Sequence, residues 1–183
     1  MEWLEARPVS KVGKEAWLET IMEEYGENLT RLSYSYLRDW GMAEEVVQDV
    51  FVKIYKQYDT YEEMGAFKSW IYRITINRCK DVLRSSLLKR IVVQSQFFQF
   101  LESKEKTPES LLMTKGEDAE LVKGVLALPV KYREVILLFY FEEMSNREIG
   151  ELIGVNENTV KTRLSRGREK LRLVLERSEF DGR

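Results

Sequence analysis

The apolar residues of this chain recur at the spacing of α-helices. Between Met42 and Tyr58 they return every three or four positions, so they fall on one side of a helix. The residues of that side are Val46, Val47, Val50, Phe51, Ile54, Tyr55 and Tyr58. An earlier helix is marked by Leu29, Leu32, Tyr36 and Leu37, and Gly41 is predicted to separate the two. No convincing alternating strand is found, which predicts an all-α fold.

The same periodicity divides the chain into two helical domains. After a predicted loop over 59–66, a third helix begins at Phe67 and completes a first domain over residues 14–84. The periodicity weakens over residues 85–117, where Ser, Gln, Lys and Glu accumulate around Thr107-Pro108, and this stretch is predicted to be a flexible linker. Its apolar cluster is expected to pack either on this protein or on a partner, and comprises Phe97, Phe98, Phe100 and Leu101. A second domain follows over 118–177, in which Pro129 ends or restarts a helix.

The second domain contains the signature of a helix-turn-helix. Ser145 and Glu148 form a capping-box pattern that starts the first helix. Gly150 allows close helix crossing, and Gly154 suits the positive φ of the turn. Val155 can fill the corner, and Asn156 is a good N-cap for the second helix. That helix is predicted to bury Val160, Leu164, Gly167, Leu171 and Val174.

The outward side of the second helix has the chemistry of DNA recognition. It carries Lys161, Thr162, Ser165, Arg166, Glu169 and Arg172. Arginine can donate two hydrogen bonds to guanine, hydroxyls can contact base edges, and the flanking Arg163 and Arg168 can reach the DNA backbone. A solvated surface helix is the alternative reading of such a charged face. The coincidence of capping box, glycine spacing and basic residues favours DNA binding.

Composition excludes most other functions. The chain has 183 residues, no histidine and one cysteine, Cys79, so neither a disulfide framework nor a Cys/His metal cluster is expected. No cofactor is expected, and no catalytic pairing is visible. There is no apolar run of the ~18 residues needed to span a membrane, and the start of the chain does not resemble a secretory signal. We expect a cytoplasmic protein that is not an enzyme.

Charge is strongly segregated although the net charge is only −2. Acids predominate up to Met64, whereas Lys68 to Arg90 holds seven bases and the single acid Asp81. A second basic block runs from Lys161 to Arg172. This distribution predicts two surfaces for a polyanion and a third, acidic surface for another partner.

The first basic block forms a stripe on the third helix. Its members, spaced along one side of that helix, are Arg73, Asn77, Lys80 and Arg84. An asparagine among cations can hydrogen-bond an exposed base, and Tyr61 in the preceding loop could stack on one. Taken alone, this helix is better explained as a structural helix than as a nucleic-acid-binding one. Trp70 is expected in the core, and Arg78 falls on the apolar side without an explanation beyond snorkelling.

Three segments together resemble the extracytoplasmic-function (ECF) group of the sigma-70 family. They are Ala43 to Phe51, Phe67 to Asn77, and the helix-turn-helix, in that order over nearly the whole chain. The resemblance implies an RNA polymerase sigma factor with a region 2 bundle and a region 4 helix-turn-helix. It also implies that the linker passes through polymerase channels, and that an anti-sigma factor is a partner. The protein would be a monomer bound to the β′ and β subunits of core polymerase and to promoter DNA.

The resemblance further implies roles for individual residues. The surface that docks on the clamp helices of β′ would comprise Glu45, Gln48, Asp49 and Val52. The residues that melt and read the minus-ten element would be Tyr61, Arg73, Asn77, Lys80 and Arg84. The residues that bind the minus-thirty-five duplex would be Lys161, Thr162, Arg163, Ser165, Arg166 and Arg168. Asp81 is a departure, because an acid is unfavourable beside DNA.

Three other classes of function remain possible from the sequence. An ordinary helix-turn-helix regulator would bind operator DNA as a symmetric dimer, with a first domain that senses a ligand or dimerises. An adaptor would use its basic helices to bind acidic protein, although the glycine spacing argues against this. An enzyme built around Cys79 lacks a visible base and is disfavoured.

Overall fold

The computed structural model describes residues 13–58, 67–93 and 117–181. These ranges contain seven α-helices and no strand, which confirms the all-α prediction. In chain order the helices are α1 (Lys14–Leu37), α2 (Trp40–Lys56), α3 (Phe67–Val93), α4 (Glu117–Ala127), α5 (Val130–Tyr140), α6 (Asn146–Ile153) and α7 (Glu157–Asp181).

The chain separates into two compact units, with the division between Leu88 and Lys89. Helix α3 continues to Val93, beyond the residue at which we expected the first domain to end. The prediction of a linker over 85–117 falls mostly outside the described residues. The apolar cluster from Phe97 to Leu101 lies entirely outside them.

The first unit is built on the pairing of α1 with α2, to which α3 adds a third apolar face. Its fully buried side chains include Ile21 and Leu29 from α1 and Ile54 from α2. Trp17 contacts the ring of Tyr58 edge-on, with centroids 5.1 Å apart. Trp17 also contacts the ring of Phe67 at the start of α3, at 5.9 Å. Aromatic pairs of this kind add about 0.5–1.5 kcal/mol beyond the area that they bury.

The break between α1 and α2 lies before Gly41, so the prediction that Gly41 separates these helices is wrong. The chain turns at Arg38, which adopts φ +60° and donates its backbone N–H to the Tyr34 carbonyl. Asp39 then caps α2, because its carboxylate accepts the backbone N–H of Met42 at 2.8 Å. Gly41 consequently lies in the first turn of α2. A capping aspartate outweighed glycine here because it satisfies a helix N–H that would otherwise lack a partner.

The second unit packs α4, α5 and α6 around α7. Two glycines permit close approaches of these helices. A Cβ on Gly124 would lie 2.9 Å from Cδ1 of Leu171, and one on Gly167 would lie 2.9 Å from Cδ1 of Ile136. Pro129 separates α4 from α5 and occupies the N-cap position of α5, as expected for a residue that interrupts and restarts a helix. These contacts hold α7 with one side buried and the other exposed.

Candidate nucleic-acid and polymerase interfaces

The helix-turn-helix begins with the capping box that the sequence predicted. The backbone N–H of Glu148 donates to the Ser145 hydroxyl at 3.3 Å, and the Glu148 carboxylate accepts the backbone N–H of Ser145 at 2.8 Å. Ile149 and Leu152 of α6 are buried, whereas Ile153 is partly exposed. The reciprocal bonds set where α6 starts and therefore where its apolar side points.

The turn explains both glycines. Gly154 has φ +76°, a conformation that strains residues with a Cβ. At position 150 only glycine fits without a shift of the backbone, because a Cβ there would lie 2.7 Å from the carbonyl oxygen of Val155. The close approach is therefore between α6 and the turn itself. Asn156 then caps α7 by accepting the backbone N–H of Thr159 at 2.7 Å, as predicted.

Replacing Gly150 with alanine is expected to destabilise the second unit by about 1–3 kcal/mol, as overpacking of a tight contact usually does. The Val155 carbonyl is backbone and cannot turn aside as a side chain could. Gly26→Ala is the matched control, because among the described residues a Cβ there meets only Phe51, at 3.9 Å. A helix-interior Gly→Ala change at an open site stabilises by about 0.5–1 kcal/mol. Chemical denaturation followed by circular dichroism measures the stability change of both variants. A denaturation midpoint of Gly150→Ala equal to that of the original protein would contradict the contact.

The predicted DNA-reading side of α7 is exposed. Lys161, Thr162, Ser165 and Arg166 all face solvent, while Val160 and Leu164 are buried beneath them. Lys161 forms an ion pair with Glu157 at 2.6 Å, and the Thr162 hydroxyl donates to the Asn158 carbonyl at 2.9 Å. The side of the helix expected to enter a groove is therefore accessible.

The two flanking arginines have different surroundings. Arg163 donates to the carboxylate of Glu134 on α5 at 3.0 Å, and their side chains are only 25% and 7% exposed. Arg168 is exposed, and its guanidinium lies over the rings of Phe139 and Tyr140 at 5.7 and 5.5 Å. Arg163 thus connects α7 to α5. Removal of either partner would leave the other charge largely buried and uncompensated, which is destabilising. The contact of Arg163 with the DNA backbone stays a prediction.

An apolar groove of about 480 Å³ also lies in the second unit. It is lined by residues of α4, α5 and α7, among them Leu121, Ile136 and Leu171. At its edge Tyr140 and Phe141 are 52% and 59% exposed. Sequence reasoning did not single out this surface, because its residues belong to three helices and none of the patterns brings them together. Exposed apolar surface of this kind is typical of protein-binding sites.

The predicted polymerase-docking residues share one exposed side of α2. Glu45, Gln48 and Asp49 face solvent, and Val52 is 52% exposed. The opposite side of α2 is buried through Val46, Val50 and Ile54. An exposed valine beside acids and an amide gives this side both apolar and polar contact groups.

Arg78 contacts this predicted docking side, which gives a reason for an arginine that the sequence left unexplained. Its Nε and Nη2 atoms both donate to Oδ2 of Asp49, at 2.9 and 2.7 Å. The two side chains are 47% and 54% exposed, so the pair contributes little stability. Its effect is local: Arg78 on α3 orients the carboxylate of Asp49 on α2.

The predicted minus-ten stripe on α3 is accessible in part. Arg73, Asn77 and Arg84 are exposed, whereas Lys80 is half-buried. Oδ1 of Asp81 lies 3.6 Å from Nη1 of Arg84. This cation partly offsets the negative charge of Asp81, which is unfavourable beside DNA. Tyr61 lies outside the described residues.

Cys79 is buried in the first unit, and its burial raises the pKa of the thiol to about 11. The thiol is therefore protonated near neutral pH and shielded from solvent, which disfavours an enzyme built around it. Within the described ranges, no group of three or more potential ligands could hold a metal ion. None of the described helices is long and apolar enough to cross a membrane.

Comparison with known proteins assigns both units. The family model for sigma-70 region 2 matches residues 21–87, and the model for sigma-70 region 4 matches residues 119–171. The ECF sigma factor SigW of Bacillus subtilis is 31% identical over 92% of this chain and 94% of its own length. The chain belongs to the ECF sigma factors of the sigma-70 family.

Other relatives agree with this assignment. The sigma factor SigV of Bacillus subtilis is 31% identical over 90% of this chain and 95% of its own length. A solved sigma factor, RpoE of Bartonella quintana in complex with the anti-sigma factor NepR, superposes with a TM-score of 0.70. That alignment covers 86% of this chain and 96% of RpoE at 24% identity, so it supports the fold.

The family establishes the function in general terms. This ECF sigma factor directs promoter-specific initiation of transcription, and its partners are RNA polymerase and promoter DNA. The competing interpretation, an ordinary helix-turn-helix regulator that binds operator DNA as a symmetric dimer, is not supported, because both units match sigma-70 regions. Members of the family are non-catalytic regulators.

Proposed function

We propose that the three exposed surfaces described above divide the work of initiation. The side of α7 formed by Lys161, Thr162, Ser165 and Arg166 binds the minus-thirty-five element as duplex. The capped helix-turn-helix supports this assignment most directly, because its turn geometry presents that side of α7 to solvent over a buried core. Arg163 and Arg168 flank it, with Arg168 better placed for a backbone phosphate because Arg163 is engaged by Glu134.

The stripe on α3 reads and melts the minus-ten element. Arg73, Asn77 and Arg84 are exposed there and can meet a phosphate or an unpaired base, and Lys80 borders them. Tyr61 belongs to the same proposed site through the family resemblance. Asparagine offers both a donor and an acceptor to a flipped base, a combination that cations lack.

The exposed side of α2 docks on the clamp helices of the polymerase β′ subunit. Glu45 and Asp49 supply negative charge, Gln48 a hydrogen-bonding amide, and Val52 an apolar contact. Complementary charge across such an interface gives specificity and speeds association. The β subunit is the second polymerase contact.

The protein acts as a cytoplasmic monomer under the control of an anti-sigma factor. RpoE of Bartonella quintana was solved with the anti-sigma factor NepR, and CnrH was solved with the cytosolic domain of CnrY. A protein of the same fold offers comparable surfaces to an inhibitor. The protein is not an enzyme, and it requires no cofactor.

Transcription in vitro from a promoter library tests the proposal. Core polymerase mixed with this protein is expected to initiate at a defined subset of promoters that share upstream and downstream elements. Core polymerase alone is the control. Start-site choice that does not change when the protein is added would contradict a sigma function for the chain.

A further inference from the structure

A polar cleft of about 440 Å³ opens between the start of α5 and the first half of α7. Its lining residues are Lys131, Tyr132, Asn156, Asn158, Thr159, Thr162, Arg163 and Arg166. Two of them, Thr162 and Arg166, belong to the proposed DNA-reading side of α7. Lys131 is contributed by α5, a helix outside the helix-turn-helix, and sequence reasoning did not select it.

The charge of the cleft is one-sided. Among the described residues, its lining contains three cations and no acid, and the remaining polar groups are hydroxyls and amides. The guanidinium of Arg163 pairs with Glu134. The other two cations of the cleft, Lys131 and Arg166, are exposed. The ammonium of Lys131 lies 5.1 Å from the centre of the Tyr132 ring. A cation over an aromatic face keeps its charge and its donors while losing some of its freedom.

The start of α5 adds to this positive character. Its N-cap is Pro129, which forms no side-chain capping bond. The first turn of a helix carries partial positive charge from N–H groups that lack intrahelical partners. Lys131 lies in that turn, so a side-chain cation and a helix terminus border the same cleft.

We propose that this cleft holds one strand of the sugar-phosphate backbone, with Lys131 as a phosphate contact. This inference rests on the proposed binding of upstream DNA by α7. A lysine ammonium is a compact charge on a flexible stem, which suits a phosphate better than a base edge. Phosphate contacts set the register of a protein on duplex DNA but carry no sequence information. Lys131 therefore supports the base reading that Arg166 performs from the same cleft.

The test compares Lys131→Ala with Lys123→Ala in full-length protein bound to core polymerase. Lys123 is exposed on α4 and does not line the cleft, so both variants lose one positive charge from the same unit. Binding is measured on promoter fragments with the original or a scrambled upstream element, over a range of salt concentrations. Lys131→Ala is expected to weaken binding about three- to tenfold near 0.1 M salt and equally on both fragments, as loss of one phosphate contact should.

The salt dependence gives a second readout. The slope of log affinity against log salt is expected to fall by about 1 for Lys131→Ala and to stay unchanged for Lys123→Ala. Lys131→Arg should retain the original slope. Identical behaviour of the two alanine variants would overturn the proposal, as would a Lys131→Ala loss confined to the original sequence.

Two further measurements separate failure of the cleft proposal from failure of the proposed DNA binding by α7. They are DNA binding by Arg166→Ala and binding of Lys131→Ala to core polymerase without DNA. If Arg166→Ala weakens upstream recognition and Lys131→Ala does not, the cleft proposal fails and the role of α7 stands. If neither change affects DNA binding, the DNA-binding role of α7 fails as well. A loss of core binding by Lys131→Ala in the absence of DNA would show that the cleft binds an acidic polypeptide and would overturn the assignment to phosphate.

Discussion

Asp49→Lys is expected to abolish measurable binding to core polymerase. Asp49 is exposed on the proposed docking side of α2, and reversing its charge would place a cation where the proposed interface needs an anion. Like charges brought together across an interface cost about 3 kcal/mol or more of binding free energy. A cost of that size lowers the affinity more than about a hundredfold. Titration of labelled protein with core polymerase measures the effect. Normal binding by this variant would place the docking surface elsewhere.

The contact between Asp49 and Arg78 supplies the control for that experiment. Asp49→Lys removes the internal ion pair and leaves two cations adjacent, so a local rearrangement of α2 and α3 could also reduce binding. The double variant Asp49→Lys/Arg78→Glu restores an ion pair of opposite polarity. Binding should remain lost if polymerase contacts Asp49 directly, whereas rescue by the second change would assign the loss to the rearrangement. The free energy of unfolding should change by less than about 1 kcal/mol in either variant, because the pair is exposed.

Arg166→Ala is expected to cost about 1–3 kcal/mol in recognition of the upstream element and to relax its sequence preference. The guanidinium is exposed on α7 and can donate two hydrogen bonds to a guanine edge. Competition binding of the holoenzyme on single-base variants of the element measures both quantities, with Lys123→Ala as the charge control. An equal loss on every sequence would instead make Arg166 a phosphate contact.

The helix-turn-helix could be predicted from the sequence because each of its determinants is local. The capping box joins Ser145 to a residue three positions away, and Asn156 caps α7 across the same separation. The positive φ of Gly154 is likewise a property of one residue. Such features depend on backbone chemistry within a single turn, so composition and spacing suffice to reveal them.

Two kinds of feature cannot be predicted from local spacing: which of several residues ends a helix, and which residues of different helices come into contact. Asp39 and Arg38 formed the break that Gly41 was predicted to form, since capping depends on which side chain reaches the free N–H. The ion pairs Arg78–Asp49 and Arg163–Glu134 each join residues 29 positions apart on different helices. Periodicity assigns a residue to a side of its own helix but does not identify the helix that will lie opposite.

By itself the sequence determined the helical class, the helix-turn-helix, the segregation of charge and the sigma-70 resemblance, all of which follow from short-range spacing and order along the chain. Only the tertiary structure decided that Arg163 is engaged within the second unit, that Arg78 orients Asp49, and that Lys131 shares a cleft with Arg166. The physical reason is that a charged side chain takes its function from whatever lies within a few ångströms, and helix packing determines those neighbours.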